Sequence, residues 1–147
     1  MNAFVILGDA NTRKSSVLRS LTGCFNRSVR QVQLSSGSVL DIYARVSSLQ
    51  ESETEPQKFI NEVAGTGQSS VIFCLWPHAN SKNPLKYPDA HAYISAFTKA
   101  GWQFRASAVL GASPIRPATP RVAYFPTIVD QPINIGAQSV RQHFQWL

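Results

Sequence analysis

The chain has 147 residues, of which 44% are apolar and 15% are charged. This balance excludes a disordered protein, and the length favours one domain with its own core over two. The net charge of +6 favours anionic partners such as phosphates and nucleic acid, because positive potential attracts them. Apolar runs such as Val71–Trp76 are too short to cross a bilayer, and Met1–Leu7 lacks a basic leader and a cleavage site. We therefore predict a single cytoplasmic domain over residues 1–147 that makes no membrane contact.

The cysteines and histidines do not form a recognisable site in the sequence. Cys24 and Cys74 are isolated, and neither joins a Cys/His spacing typical of zinc, so both are expected to be reduced, packed thiols. His78, His91 and His143 are scattered, with no nucleophile motif beside them. We interpret them as structural or surface residues.

The first elements are a strand and a helix. Ala3–Leu7 is a continuous apolar run ended by Gly8, which predicts a strand buried on both faces. Helical spacing begins at Arg13, with Gly23 placed as the C-cap. The apolar stripe of this helix consists of Val17, Leu18 and Leu21.

A hairpin and a second helix are predicted next. Ser28–Leu34 and Val39–Val46 are rich in β-forming residues, and the Ser/Gly segment between them is typical of a hairpin turn. Glu51–Glu55 is an acidic link, and Pro56 suits the start of a helix.

The remaining chain continues the alternation of strands and helices. Gln68–Trp76 predicts a strand, and Asp89 is the expected N-cap of a helix that ends at Gly101. Phe104–Leu110 predicts another strand, and the proline-rich 113–120 segment predicts an ordered surface loop.

The last two predicted elements are an edge strand at Val122–Phe125 and a terminal helix at Ala137–Leu147. Strands that alternate with helices indicate a mostly parallel sheet covered on both faces. The fold class is therefore predicted as α/β, a three-layer sandwich with one antiparallel hairpin.

One motif carries a functional prediction. The segment from Gly8 to Ser15 reads GDANTRKS and matches G-x-x-x-x-G-K-[ST] at every fixed position except one, where Arg13 replaces the second glycine. The motif leaves an apolar strand and opens an amphipathic helix, which is the context that a phosphate-binding loop requires.

This segment resembles the P-loop NTPases, and within them the small GTPases of the Rab and Ras type, over about the first twenty residues. The resemblance implies a P-loop NTPase-like fold and a nucleotide, ATP or GTP with magnesium. It also implies that amides from Ala10 to Ser15 face the β-phosphate, that Lys14 reaches the β and γ oxygens, and that Ser15 ligates magnesium. Ser16 would lie beside the α-phosphate. The predicted binding residues are Gly8, Asp9, Ala10, Asn11, Thr12, Arg13, Lys14, Ser15 and Ser16.

The other GTPase motifs are missing. No Asp-x-x-Gly follows the hairpin, no Asn-Lys-x-Asp follows Val71–Trp76, and Ala44 stands where the resemblance expects the aspartate linked to magnesium. At Arg13 a side chain is expected either to crowd the nucleotide or to add a positive contact. We therefore assign no catalytic residue and predict weak or absent hydrolysis, with the protein acting through a partner.

Less specific interpretations remain open. The loop could be an ordinary strand-to-helix turn with Thr12 as N-cap and Lys14 solvated. The chain could then be an adaptor or scaffold that binds no nucleotide and contacts nucleic acid through a basic face, or its arginines could pair with the acids of the 51–55 link. That basic face would comprise Arg13, Lys14, Arg19, Arg27, Arg30 and Arg45.

Two further alternatives concern other residues. A kinase-like phosphotransferase would need Asp41 as base and Arg116 or Arg121 as a lid residue. The tryptophans Trp76, Trp102 and Trp146 are expected in or near the core, with base stacking as the alternative.

Overall fold

The computed structural model describes every residue from Met1 to Leu147 as an α/β fold. Six strands and four α-helices alternate along most of the chain, with one short 3₁₀ helix at Ile128–Asp130. The strands are β1 (Asn2–Leu7), β2 (Arg27–Gln33), β3 (Val39–Ser48), β4 (Ser70–Leu75), β5 (Gln103–Leu110) and β6 (Val122–Phe125). The helices are α1 (Lys14–Thr22), α2 (Pro56–Gly65), α3 (Ala90–Lys99) and α4 (Ile133–His143).

All six strands form one sheet in the order β2-β3-β4-β1-β5-β6. Only β2 runs antiparallel to its neighbour, as the predicted hairpin requires, and every other pairing is parallel. The predicted α/β class, the parallel sheet and the antiparallel hairpin are confirmed. None of the helices combines the length and the apolar character that a membrane crossing demands.

The core lies on both faces of the sheet. The central strands β1 and β4 are buried almost throughout, which explains their continuous apolar sequences. One core cluster joins the sheet to α1 and α4, and a second joins it to α2 and α3. The helices therefore form two outer layers around the sheet.

The end of the chain differs from the predicted terminal helix at Ala137–Leu147. Helix α4 spans Ile133–His143, and the chain then turns back at Gln145. Trp146 forms an antiparallel bridge with Leu34, next to the hairpin turn. The aromatic ring of Trp146 packs 5.1 Å from that of Phe4. Tertiary pairing with the hairpin thus overrides the helical spacing of this segment.

The parallel strands give the sheet two distinct ends. The carboxyl end is where β1 finishes at Leu7, β3 at Ser48 and β4 at Leu75; the amino end is where β1 starts at Asn2 and β4 at Ser70. Ligands of open α/β sheets bind beyond the carboxyl end. The predicted phosphate-binding loop lies there, between β1 and α1.

Candidate functional site

The loop after β1 is packed closely against its surroundings. The amide of Gly8 donates to the carbonyl of Leu75 at 3.2 Å, so the loop starts beside the end of β4. A Cβ atom on Gly8 would overlap Oγ1 of Thr12, and one on Gly111 would lie 2.8 Å from the Thr12 methyl group. Glycine is needed at both positions for this close approach.

The backbone at Arg13 takes the conformation that glycine adopts most readily. Its φ of 67° and ψ of 23° are left-handed, and Asn11 also has a positive φ of 65°. A left-handed residue other than glycine costs about 1–2 kcal/mol, so this loop stores strain. The Arg13 side chain donates to the carbonyl of Gln131 at 2.7 Å, which holds the guanidinium against the segment that precedes α4.

The interpretation of Thr12 as N-cap is wrong. The N-cap residue of α1 is Arg13, which makes no side-chain cap, and the Thr12 hydroxyl donates instead to the carbonyl of Asp9 at 2.8 Å. The left-handed turn at Arg13 moves the helix start by one residue and turns the Thr12 side chain back into the loop.

The backbone amides of this loop lack acceptors within the chain. None of the N–H groups from Ala10 to Ser16 donates to a carbonyl or to a side chain, although the next amide, Val17, bonds to Arg13. The first turn of any helix leaves such donors unpaired. Here the unpaired run extends through the whole preceding loop, which is the arrangement that binds anions at helix N-termini.

Lys14 is buried beside these amides. Its side chain is 7% exposed, and Nζ donates to the Asp9 carbonyl at 2.7 Å. Burial lowers the pKa of Lys14 from its ordinary value, while the carboxylates of Glu51 and Asp9 partly oppose that shift. The alternative of a solvated Lys14 is therefore wrong.

These groups surround a concavity of about 260 Å³. Its wall contains six of the nine predicted binding residues, and the other three, Gly8, Asp9 and Thr12, shape the loop behind them. The lining residues are Ala10, Asn11, Arg13, Lys14, Ser15, Ser16, Ser48, Glu51 and Trp76.

The sequence analysis missed three of these lining residues. Ser48 is the last residue of β3, Glu51 lies just after that strand and Trp76 follows β4, so the carboxyl ends of neighbouring strands bring them to the loop. Ser48 is 1% exposed, and its hydroxyl has no hydrogen-bond partner. Their positions at, or a few residues beyond, the ends of two predicted strands were the available signal, because parallel strands end at the same side of a sheet.

A buried glutamine fixes the rim of the concavity. Gln50 donates through Nε2 to the carbonyl of Trp76 at 2.9 Å, and its Oε1 accepts from the Trp76 amide at the same distance. The Gln50 carbonyl accepts from Asn80 at 2.9 Å. Because both ends of its amide are occupied, Gln50 connects the turn after β3 to the segment after β4.

The three tryptophans differ in burial, and two histidines make defined contacts. Trp102 and Trp146 are buried, as expected, whereas Trp76 is only half-buried and lies at the concavity. The His78 ring stacks on Trp76 with centroids 5.2 Å apart, and its Nε2 lies 3.8 Å from Oδ1 of Asp9.

His143 is a separate case, on the terminal helix. Its Nε2 lies 2.8 Å from the carbonyl of Arg121, so this nitrogen must carry a proton to donate.

The predicted basic face forms only in part, because Lys14 and Arg45 are buried whereas Arg13, Arg19, Arg27 and Arg30 are exposed. Arg45 is buried, and its Nη1 lies 2.8 Å from Oε2 of Glu62 on α2, which also pairs with Arg27 at 3.3 Å. Arg45 also donates to hydroxyls of Ser52 and Thr54. The partner is therefore Glu62 and not an acid of the 51–55 link, because α2 packs its Glu62 over the side chains of the hairpin.

The residues proposed for a kinase-like reaction are far from the loop. Asp41 lies near the start of β3, seven residues before Ser48, so a rise of about 3.3 Å per residue puts it roughly 20 Å from the concavity. Arg121 directly precedes β6 at the amino end of the sheet, and Arg116 is exposed in the loop before it. The structure does not assemble this alternative site.

No cluster of three or more His, Cys, Asp or Glu side chains is placed to hold a metal ion. Comparisons of the chain with family models, with curated proteins and with solved structures find no match. The resemblance to the P-loop NTPases therefore stays a prediction.

Proposed function

We propose that the chain binds the polyphosphate of a nucleotide, ATP or GTP, in the concavity between β1 and α1, with slow or absent hydrolysis. Binding would change the surface that the protein presents to a protein partner. The observation that carries this proposal is the run of amides from Ala10 to Ser16 without acceptors, beside the buried ammonium group of Lys14.

The electrostatics of Lys14 favour an anionic ligand. Burial lowers the Lys14 pKa because the ammonium group is short of solvent, and its one hydrogen bond goes to the neutral carbonyl of Asp9. A phosphate oxygen would offer a charge-assisted hydrogen bond in place of this neutral one. An anion therefore stabilises the buried Lys14 ammonium group more than it would stabilise a solvated lysine.

The residues present also fit a magnesium-bound polyphosphate. The Ser15 hydroxyl makes only a 3.5 Å contact to the carbonyl of Val46, so it is available as a ligand. Glu51 supplies a carboxylate in the same wall, and Ser48 an unpartnered hydroxyl. Magnesium prefers oxygen ligands and shares them with substrate phosphates and water, and it would neutralise phosphate charge there.

Slow hydrolysis follows from what surrounds the concavity. Gln50, the one glutamine at its rim, uses its side-chain amide to bind the chain's own backbone. Glu51 is the only acidic residue in the wall, so a role in holding magnesium would leave no second carboxylate to activate water. We assign no catalytic residue.

The test is calorimetric titration with non-hydrolysable ATP and GTP analogues, with and without magnesium. We expect saturable binding by the wild-type protein and a loss of about 10- to 100-fold in Lys14→Met, since a charged hydrogen bond contributes about 1.5–3 kcal/mol. Lys82→Met is the matched control, because Lys82 is exposed in the 77–88 loop. No saturable binding by the wild-type protein would reject the proposal.

A second candidate is an adaptor that binds no nucleotide. It is favoured by the 2.7 Å hydrogen bond from Lys14 to Asp9, which satisfies the loop lysine without a ligand. Two apolar side chains, Phe25 and Leu85, are also almost fully exposed and available to a protein partner. The same titration separates the candidates, because only the adaptor predicts that all nucleotide analogues fail to bind.

A further inference from the structure

A second cavity lies at the amino end of the sheet, away from the phosphate-binding loop. Its volume is about 840 Å³, within the range of small-molecule sites. Its wall comes from the starts of the parallel strands, the hairpin turn and the last residues of the chain. These residues are Asn2, Phe4, Leu34, Ser35, Ser36, Leu40, Ser70, Phe104, Arg105, Pro120, Arg121, Phe144 and Gln145.

Two arginines give this cavity an uncompensated positive charge. Arg105 donates to the neutral side chains of Asn2 at 2.8 Å and Gln103 at 2.9 Å, and Arg121 donates to the carbonyl of His143 at 2.8 Å. Neither forms a salt bridge, and no acidic residue lines the cavity. Each guanidinium has five N–H donors, so both retain free ones for an anion.

Irregular backbone places both arginines in the wall. The pairing of β1 with β5 shifts at Arg105, because Ala3 pairs with Phe104 but Phe4 pairs with Ala106. Such a bulge redirects a side chain and is rare between parallel strands. Arg121 has a left-handed φ of 53°, which is unfavourable for a non-glycine residue.

The rest of the wall is suited to an apolar ligand body with a polar group attached. Its apolar part comes from Phe4 and Phe144, which belong to the core cluster on the α1 and α4 face, together with the half-buried Leu34 and Leu40 packed against that cluster. Ser70 is 1% exposed, and its hydroxyl has no hydrogen-bond partner in the chain. A buried hydroxyl without a partner is unfavourable, so an acceptor on a ligand would stabilise it.

We propose that this cavity binds a small organic anion, whose apolar body packs against Phe4 and Phe144 and whose carboxylate or phosphate pairs with Arg105 and Arg121. This site is independent of the phosphate-binding loop. One site needs the loop amides and Lys14, and the other needs two arginines at the opposite end of the sheet.

The test uses four probes: 1-naphthoate, 1-naphthyl phosphate, 1-naphthol and inorganic phosphate. All are titrated calorimetrically into the Lys14→Met protein, in which binding at the loop is weakened, and amide chemical shifts locate the bound probe. We expect both naphthyl anions to bind with shifts at Ser70, Arg105 and Gln145. The neutral naphthol and free phosphate should bind at least tenfold more weakly, and the stronger naphthyl anion identifies the charged group.

Two variants test the arginines separately. Arg105→Gln and Arg121→Gln should each weaken the naphthyl anions about tenfold, as expected for one lost charge-assisted contact. Arg116→Gln, at an exposed arginine in the same loop region, should leave binding unchanged. A thermal unfolding curve shows whether each variant folds. If one variant does not fold, the other still tests the proposal.

Three outcomes would overturn the proposal. They are no saturable binding of either naphthyl anion up to millimolar concentration, equal binding of naphthol and the anions, or anion binding that neither arginine variant alters. Because the probes are located by shifts at the amino end and no nucleotide is used, the result says nothing about nucleotide binding, and the two proposals fail separately.

Discussion

The two proposed sites, at opposite ends of the sheet, would bind an anion by different means. At the carboxyl end the donors are mainly backbone amides, with one buried lysine beside them, in a concavity of about 260 Å³ that is largely polar. At the amino end the donors are arginine side chains above aromatic rings, in a cavity about three times as large. Backbone amides suit a compact, highly charged group such as phosphate, whereas arginines over an apolar floor suit a larger ligand with one charged group.

The ends also share a physical property, which is backbone strain. Four of the five non-glycine residues with positive φ lie at these two places: Asn11, Arg13, Arg121 and Gln145. Strained residues persist where the surrounding structure holds them, and they concentrate at functional sites. The strain distinguishes both ends from the regular core between them.

The largest expected effect is the separation of the two sites by Lys14→Met. Nucleotide binding should weaken about 10- to 100-fold, because the charged contact to phosphate is lost. Binding of 1-naphthoate should stay within twofold, since the amino end lies roughly 20 Å away along β1. Parallel calorimetric titrations measure both. Equal losses at both sites would show that the two ends are coupled.

Gly8→Ala should disturb the carboxyl end through packing alone. The added methyl group would overlap Oγ1 of Thr12, and such overpacking costs about 1–3 kcal/mol of unfolding free energy. Urea denaturation measures the loss. The double variant Gly8→Ala/Thr12→Ala should lose less than the sum of the two single variants, because Thr12→Ala removes the overlapping atom. Additive losses would show that the predicted contact is not the cause.

The pH dependence of ligand affinity should differ between the two ends of the sheet. The pKa of Lys14 is lowered by burial, so nucleotide affinity should start to fall at a pH below the ordinary 10.5. Arginine stays charged throughout this range, so naphthoate affinity should remain constant. Titrations of the nucleotide and of 1-naphthoate at pH 8, 9 and 10 measure both affinities. At these pH values the phosphate is already fully ionised, so its own charge does not change. A constant nucleotide affinity would contradict a lowered Lys14 pKa.

The same shift affects stability with a defined sign. The folded Lys14 pKa lies below the unfolded value, so the unfolded chain binds more protons between these two pH values and stability rises with pH across that window. Lys14→Met removes this contribution. The stability difference between wild type and variant therefore isolates it from the tyrosines that also titrate at alkaline pH.

The smallest expected effect concerns strain at both ends. Arg13→Gly and Gln145→Gly should each be more stable than the corresponding alanine variant by about 1 kcal/mol, because only glycine accepts a left-handed φ without penalty. Urea denaturation of the four proteins measures this. At the helical residue Ser16, the alanine variant should instead be more stable than the glycine variant, since glycine there weakens α1. Equal stabilities of Arg13→Ala and Arg13→Gly would mean that Arg13 does not have a left-handed backbone.

Much of the fold could be predicted from the sequence. The apolar run at Ala3–Leu7, the spacing after Arg13 and the turn residues of the hairpin each specify local structure, and all three elements formed within a few residues of the predicted bounds. The terminal helix was placed four residues too late. Val140, Phe144 and Leu147 have helical spacing, but Trp146 pairs with the hairpin and packs against Phe4.

By itself, the sequence determined most of the segments that become strands and helices, because periodicity acts over short distances along the chain, and its Gly8–Ser15 motif predicted a phosphate-binding loop between the first two. Tertiary structure alone decided that Ser48, Glu51 and Trp76 join that loop and that Arg45 pairs with Glu62. It also decided that Arg105 and Arg121 line one cavity. The physical reason is strand order, since pairing in the sheet brings together residues whose separation in sequence carries no signal of their contact.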